Sequence, residues 1–120
     1  MKYVFLVYYE ESEIEKMSQR DWDALNNECM DFGATIAESG HRLGGQALQP
    51  TSTATTIRVR GGKLSTIDGP FAETKEQLAG FYYVEAQDLD EAIRVASRIP
   101  PARLGSIEIR PVRELLPEGN

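Results

Sequence analysis

The chain has 120 residues, of which 41% are hydrophobic and 27% charged, and a formal net charge of −6. That is the mix of one folded domain with a modest core. The negative charge argues against nucleic acid or an anionic membrane as the main partner, and no apolar run approaches membrane-spanning length.

Tyr3 to Tyr9 is β-branched and aromatic, and reads as a strand. Tyr3, Phe5, Val7 and Tyr9 fall on one face, and Val4, Leu6 and Tyr8 on the other. A strand apolar on both faces is covered on both. The opening residues are too short and too aromatic for a signal peptide, so the expected location is the cytoplasm. Glu10 to Met17 reads as a loop or a ragged helix entry. Ser18 then caps a helix whose apolar stripe is Trp22, Leu25, Cys29, Phe32 and Ile36, at spacings of 3, 4, 3 and 4. Cys29, the only cysteine, is expected there as a buried, inert thiol. Gly40 is placed to end the helix.

His41 to Leu48 is a weak strand pattern, interrupted by Gly44-Gly45, and Gln49 to Thr55 reads as a loop. Thr56 to Arg60 alternates Ile57 and Val59 against Arg58 and Arg60. Gly61-Gly62 turns the chain back into a partner strand, Lys63 to Ile67, which delivers Asp68 at its end. After a polar segment comes a strong strand, Gly80 to Ala86. Asp88 and Glu91 form a capping box for a second helix, with Leu89, Ala92, Ile93, Ala96 and Ile99 as its apolar face. Pro100-Pro101 stops it, and Ser106 to Val112 is the last strand. Residues 1–112 are expected as one domain and 113–120 as a tail.

Strand, helix, hairpin strands, strand, helix, strand is a split βαβ order, an α+β ferredoxin-like domain with an extra strand or so in the middle. Two helices cover one face of such a sheet. The other face must pack on something, and a second copy related by a two-fold axis is the natural choice. Burying several aromatics there would contribute on the order of ten kcal/mol before entropy costs.

Asp68-Gly-Pro-Phe-Ala-Glu-Thr-Lys-Glu76, then Gly80-Phe81-Tyr82 and Asp88-Leu-Asp-Glu-Ala92, resembles the YCII-related proteins, in particular the group named for its DGPF motif. Leu48-Gln-Pro50, Thr55-Thr-Ile-Arg58 and Ile107-Glu-Ile-Arg-Pro-Val112 are similar to that group as well. The resemblance implies a ferredoxin-like fold, a homodimer closed as a dimeric α/β barrel, no settled activity, and a setting near alternative sigma factors. Some branches pair a His, early in the first helical region, with an Asp in a cleft. This chain has no His there; its only one is His41.

Asp68, at a strand end before Gly-Pro, can act as a general acid/base or hold a ligand. Equally, its carboxylate can accept the N–H of Phe71 or Ala72 in an Asx-type turn. His41 has the chemistry for proton transfer, against the plainer reading of a lone surface His. Phe71 reads as a core plug or a substrate stacker, and Glu73 and Lys75 as a charged pocket lining or a solvated segment. Arg58 can bind a carboxylate or phosphate, and Tyr83 can turn its hydroxyl into a cavity between sheets. One His and one Cys are too few for a zinc site, and no cofactor is expected. Two functions follow. One is binding of a small molecule, with Asp68 and His41 moving a proton without a cofactor. The other is a non-catalytic regulatory or interaction module associated with a sigma factor.

Overall fold

In the computed structural model, which describes residues 1–116, β1 (Lys2–Tyr9) is the central strand. It is followed by α1 (Glu11–Ile14), α2 (Gln19–Glu38), β2 (Arg42–Ala47), β3 (Thr55–Arg60) and β4 (Lys63–Asp68). The chain continues through β5 (Gln77–Glu85), α3 (Leu89–Ala96) and β6 (Ser106–Pro111). The main sheet has the order β2-β5-β1-β6 with every pair antiparallel. This α+β arrangement is compatible with a ferredoxin-like fold. β3 and β4 form a sheet of their own instead of inserting a strand into the main one. Their turn, Gly61-Gly62, has φ of 57° and 75°, as a two-residue hairpin requires.

The alternation of β1 sorts the molecule into two sides. Tyr3 lies opposite Val84, Phe5 opposite Tyr82 and Ile109, and Val7 opposite Gly80 and Ile107. Tyr3, Phe5 and Val7 are buried with Phe32 and Ile36 of α2, Ala92, Val95 and Ala96 of α3, and Ile99. On the other side Val4 lies opposite Tyr83 and Leu6 opposite Phe81. These four are only half-buried, because both helices lie across the opposite face.

Both long helices start where their caps place them. Ser18 Oγ accepts the Asp21 N–H at 3.1 Å, and the Asp88 carboxylate accepts the Glu91 N–H at 2.9 Å. α2 ends before Gly40, which has φ 81°. The buried face of α3 is Ala92, Val95 and Ala96; Leu89 and Ile93 are exposed, so the expected stripe is rotated by one position. Small residues at Ala92 and Ala96 let the helix approach the sheet, which Leu89 and Ile93 would hold off. β5 begins three residues before the expected Gly80, because Gln77 and Leu78 already pair with Tyr9 and Tyr8. Of the tail expected at 113–120, residues 117–120 lie outside the described residues.

Truncating the most enclosed side chain tests this core. Phe5→Ala should lower the unfolding free energy by about 3–5 kcal/mol, seen as a lower urea midpoint with unchanged slope.

Candidate functional site

A cavity of about 560 Å³ opens between α2 and the β2 edge of the sheet. Its origin is the composition of β2. On the helix side β2 offers Arg42, Gly45 and Ala47, so no large apolar side chain fills the gap beneath α2. Trp22, Leu25 and Cys29 line it from the helix and Tyr82 from β5. Tyr82 is held edge-on against Phe32, with ring centroids 5.3 Å apart.

Among the described residues, Arg42 is the only formally charged side chain lining this cavity. Its guanidinium lies against α2 where Gly33 has no side chain; a Cβ there would stand 3.3 Å from Nη1. Its Nη2 donates a long 3.4 Å bond to the Gly45 carbonyl. Among the described residues it has no carboxylate partner. The acidic groups around it stay neutral. Burial pushes the Cys29 thiol up, and the charge on Glu28 adds to that. Burial likewise raises the Tyr82 and Tyr9 hydroxyls. The site is therefore an apolar hollow with hydroxyl donors and one unpaired cation, suited to a small apolar molecule with an anionic end.

His41 lies elsewhere, where the end of α2 meets the start of α3. Its Nε2 is 2.8 Å from Glu91 Oε1, and its Nδ1 is 2.6 Å from Ser39 Oγ. A carboxylate only accepts, so Nε2 carries a proton. Hydroxyl, imidazole and carboxylate in series are the parts of a nucleophilic triad, but the electrostatics oppose that use. The N–H groups of Ser39, Gly40 and His41 already donate to Thr35, Ala37 and Ile36, leaving no local oxyanion donors. Ser39 also caps the negative end of α2. The chain instead ties the two helices together. Glu91 thus makes no reciprocal capping bond back to Asp88; its carboxylate turns to His41.

Asp68 ends β4 opposite Thr55 with its carboxylate exposed. Among the described residues it has no side-chain hydrogen bond and no ion pair, so the turn is not an Asx type. The Gly69 N–H holds it instead, donating to Ala54 at 2.7 Å, while the Gly69 carbonyl accepts Thr56 Oγ1 at 2.9 Å. Gly69 has φ 102°, a conformation that favours glycine. Phe71 is 77% exposed and plugs no core. Glu73 is exposed, and Lys75 borders a second hollow of about 440 Å³ with Glu10, Glu11 and Glu15. That end of the motif is anchored by Gln77, which accepts the Glu11 N–H at 2.8 Å and donates to the Thr74 carbonyl at 2.6 Å.

The residues singled out from sequence are thus dispersed. Asp68, Phe71 and Arg58 belong to the hairpin and its base, Lys75 to the acidic hollow, and His41 to the helix junction. Tyr83 is on the open sheet face. Asp68 and His41 share no hydrogen bond. Arg42, Tyr82 and Glu91 escaped notice as site residues, and Cys29 lines a cavity instead of filling the core. The one signal for them was the lack of side-chain bulk at Gly45, facing the stripe that carries Cys29.

The model of the YCII-related domain matches residues 1–116. The chain belongs to the YCII-related family. An uncharacterised protein of Rhizobium meliloti (strain 1021) is 38% identical over 115 residues, covering 93% of this chain and 92% of the relative. Among the described residues of this YCII-related chain, no group of three or more His, Cys, Asp or Glu could hold a metal ion. Among the described residues no helix is long and apolar enough to cross a membrane.

The raised thiol of Cys29 has a consequence for stability. Between its ordinary value of 9.0 and its folded value, the fold keeps a proton that the unfolded chain has lost. The folded state then binds more protons, so stability falls as pH rises through that window and is complete below it. Urea unfolding at about pH 8 and about pH 10 should show that loss, and Cys29→Ala should show a smaller one. The remainder includes Tyr9 and Tyr82, raised by burial, and Lys16, raised by its hydrogen bond to Glu13, which all shift in the same sense.

Proposed function

We propose that this YCII-related protein binds a small, largely apolar carboxylate in the cavity between α2 and β2. The observation that carries this reading is Arg42, an exposed guanidinium that lines an otherwise uncharged hollow and has no carboxylate partner among the described residues. An unpaired cation beside apolar walls gains most from a ligand that supplies both an apolar body and a carboxylate. The lining includes no paired acid and base, so binding is favoured over turnover. A binding role of this kind also fits a regulatory module, in which ligand occupancy would be the signal to a sigma-factor partner.

A second reading keeps Asp68 as a proton-transfer group, because its carboxylate is free of side-chain partners at the end of β4. His41 would need to leave Glu91 to assist it, so in this version Asp68 acts alone.

The protein is further proposed to work as a homodimer, closed through the open sheet face as in a dimeric α/β barrel. Val4, Leu6, Phe81 and Tyr83 form an apolar patch there that water would otherwise cover.

Aromatic and branched carboxylates such as benzoate serve as probes. Binding should shift the NMR signals of Tyr82 and Trp22, and Arg42→Gln should weaken it about 10–100-fold without affecting an uncharged amide analogue. No shift at cavity residues with any probe would defeat the reading. Asp68→Asn should bind as the wild type does; loss of consumption of a bound acid in that variant alone would support the proton-transfer reading. Leu6→Glu on the open face should convert a dimer to a monomer in sedimentation, and an unchanged mass would count against sheet-to-sheet closure.

A further inference from the structure

We infer that the β3–β4 hairpin is an arm that packs on a second copy of the chain; this rests on the dimer proposed above and adds a second contact to it. Ile57, Val59 and Leu64 share one hairpin face, since Val59 pairs with Leu64 and Ile57 with Thr66. They are 61%, 58% and 65% exposed. The opposite face carries Arg58, Arg60 and Lys63. Two strands with one apolar face are marginal in water and need a cover. The chain's own body does not supply it. The hairpin makes no ladder with the main sheet, and the molecule is a plate of 46 × 46 × 19 Å. The radius of gyration is 16.7 Å, against about 14 Å expected for a rounded chain of this length.

Charge and area both select a second copy as that cover. The hairpin, residues 55–68, holds three cations and one anion, a net +2, so of the total −6 the rest of the chain carries −8. A cationic arm is drawn to a body so anionic, and the arm's charged side stays in water when its apolar side is docked. Four strands about 4.8 Å apart, six to nine residues long at about 3.3 Å each, project on the order of 400 Å². This projected area is about half of the roughly 800 Å² of accessible surface that each partner buries in a standard interface. The hairpin adds an apolar surface of about half that projected size.

The test uses the full chain with methyl-labelled Ile, Leu and Val, mixed one to one with unlabelled protein. Isotope-filtered spectra of the dimer should show contacts across copies at Ile57, Val59 and Leu64. The triple variant Ile57→Thr, Val59→Thr, Leu64→Thr should raise the dimer dissociation constant at least ~10-fold while its circular dichroism stays that of the wild type. A wild-type dimer with no cross-copy signal at these methyls overturns the arm and leaves the sheet contact standing. A wild type that sediments as a monomer at every concentration overturns both. Hairpin signals that move with a short DNA duplex, in a dimer lacking cross-copy contacts, would assign the arm to nucleic acid and overturn it as well.

Discussion

Everything in this fold depends on β1 being hydrogen-bonded on both edges and apolar on both faces. Because β5 and β6 flank it, Tyr3, Phe5 and Val7 meet Val84, Tyr82, Ile109 and Ile107 in a single layer. α2 and α3 need only one such layer to bury their stripes, and Phe32, Ile36, Ala92 and Val95 complete it. A slip of one residue in β1 would move Leu6 under the helices and Phe5 out. Pairing on both sides makes that slip costly, since it breaks two ladders at once.

The cavity is a consequence of the same layer meeting a strand that cannot contribute to it. β5 brings Tyr82 to the helix side, but its outer neighbour β2 brings Gly45 and Ala47. A Cβ at Gly45 would come within 2.8 Å of the Phe81 carbonyl, so β2 lies tight against β5 and leaves the volume above it empty. Trp22 and Cys29, which periodicity assigns to the buried stripe, are only half-buried for this reason. Arg42 then reaches across the gap to Gly33 instead of toward a carboxylate. Two glycines on different elements thus shape the hollow and seat its cation.

Most of the fold was legible in the sequence. The continuous β-branched and aromatic runs of β1 and β5, the caps at Ser18 and Asp88 and the Gly61-Gly62 turn are local features, and local physics decides them. Two things were not legible. The independence of the β3–β4 hairpin is a matter of which edges meet, and alternation in Thr56 to Arg60 is the same in either sheet. The cavity was not legible because the conspicuous chemistry of the chain lies elsewhere, at Asp68 to Glu76. That stretch is rich in charge because it is a solvated connection, held by backbone bonds of Gly69 and the side chain of Gln77. The cavity is made of ordinary residues whose significance is an absence of bulk, and spacing does not register absence.

β5 is the element through which any communication between ligand and partner would have to pass. Its alternation sends Tyr82 into the cavity and Phe81 and Tyr83 to the open face. A ligand that presses on Tyr82 presses on a strand whose next residues are the ones a second copy would contact. β5 is also hydrogen-bonded to β1 and β2 along its length, and a packed sheet transmits a push as a small shift of the whole strand. By linkage, if closure of the dimer favoured one position of β5, ligand affinity would rise by the same factor as dimer affinity on binding. The bulge between Val7 and Tyr8, opposite Gly80 and Leu78, is where the ladder can absorb such a shift. It lies at the end of β5 that borders the cavity, away from the regular ladder at Tyr3 and Val84.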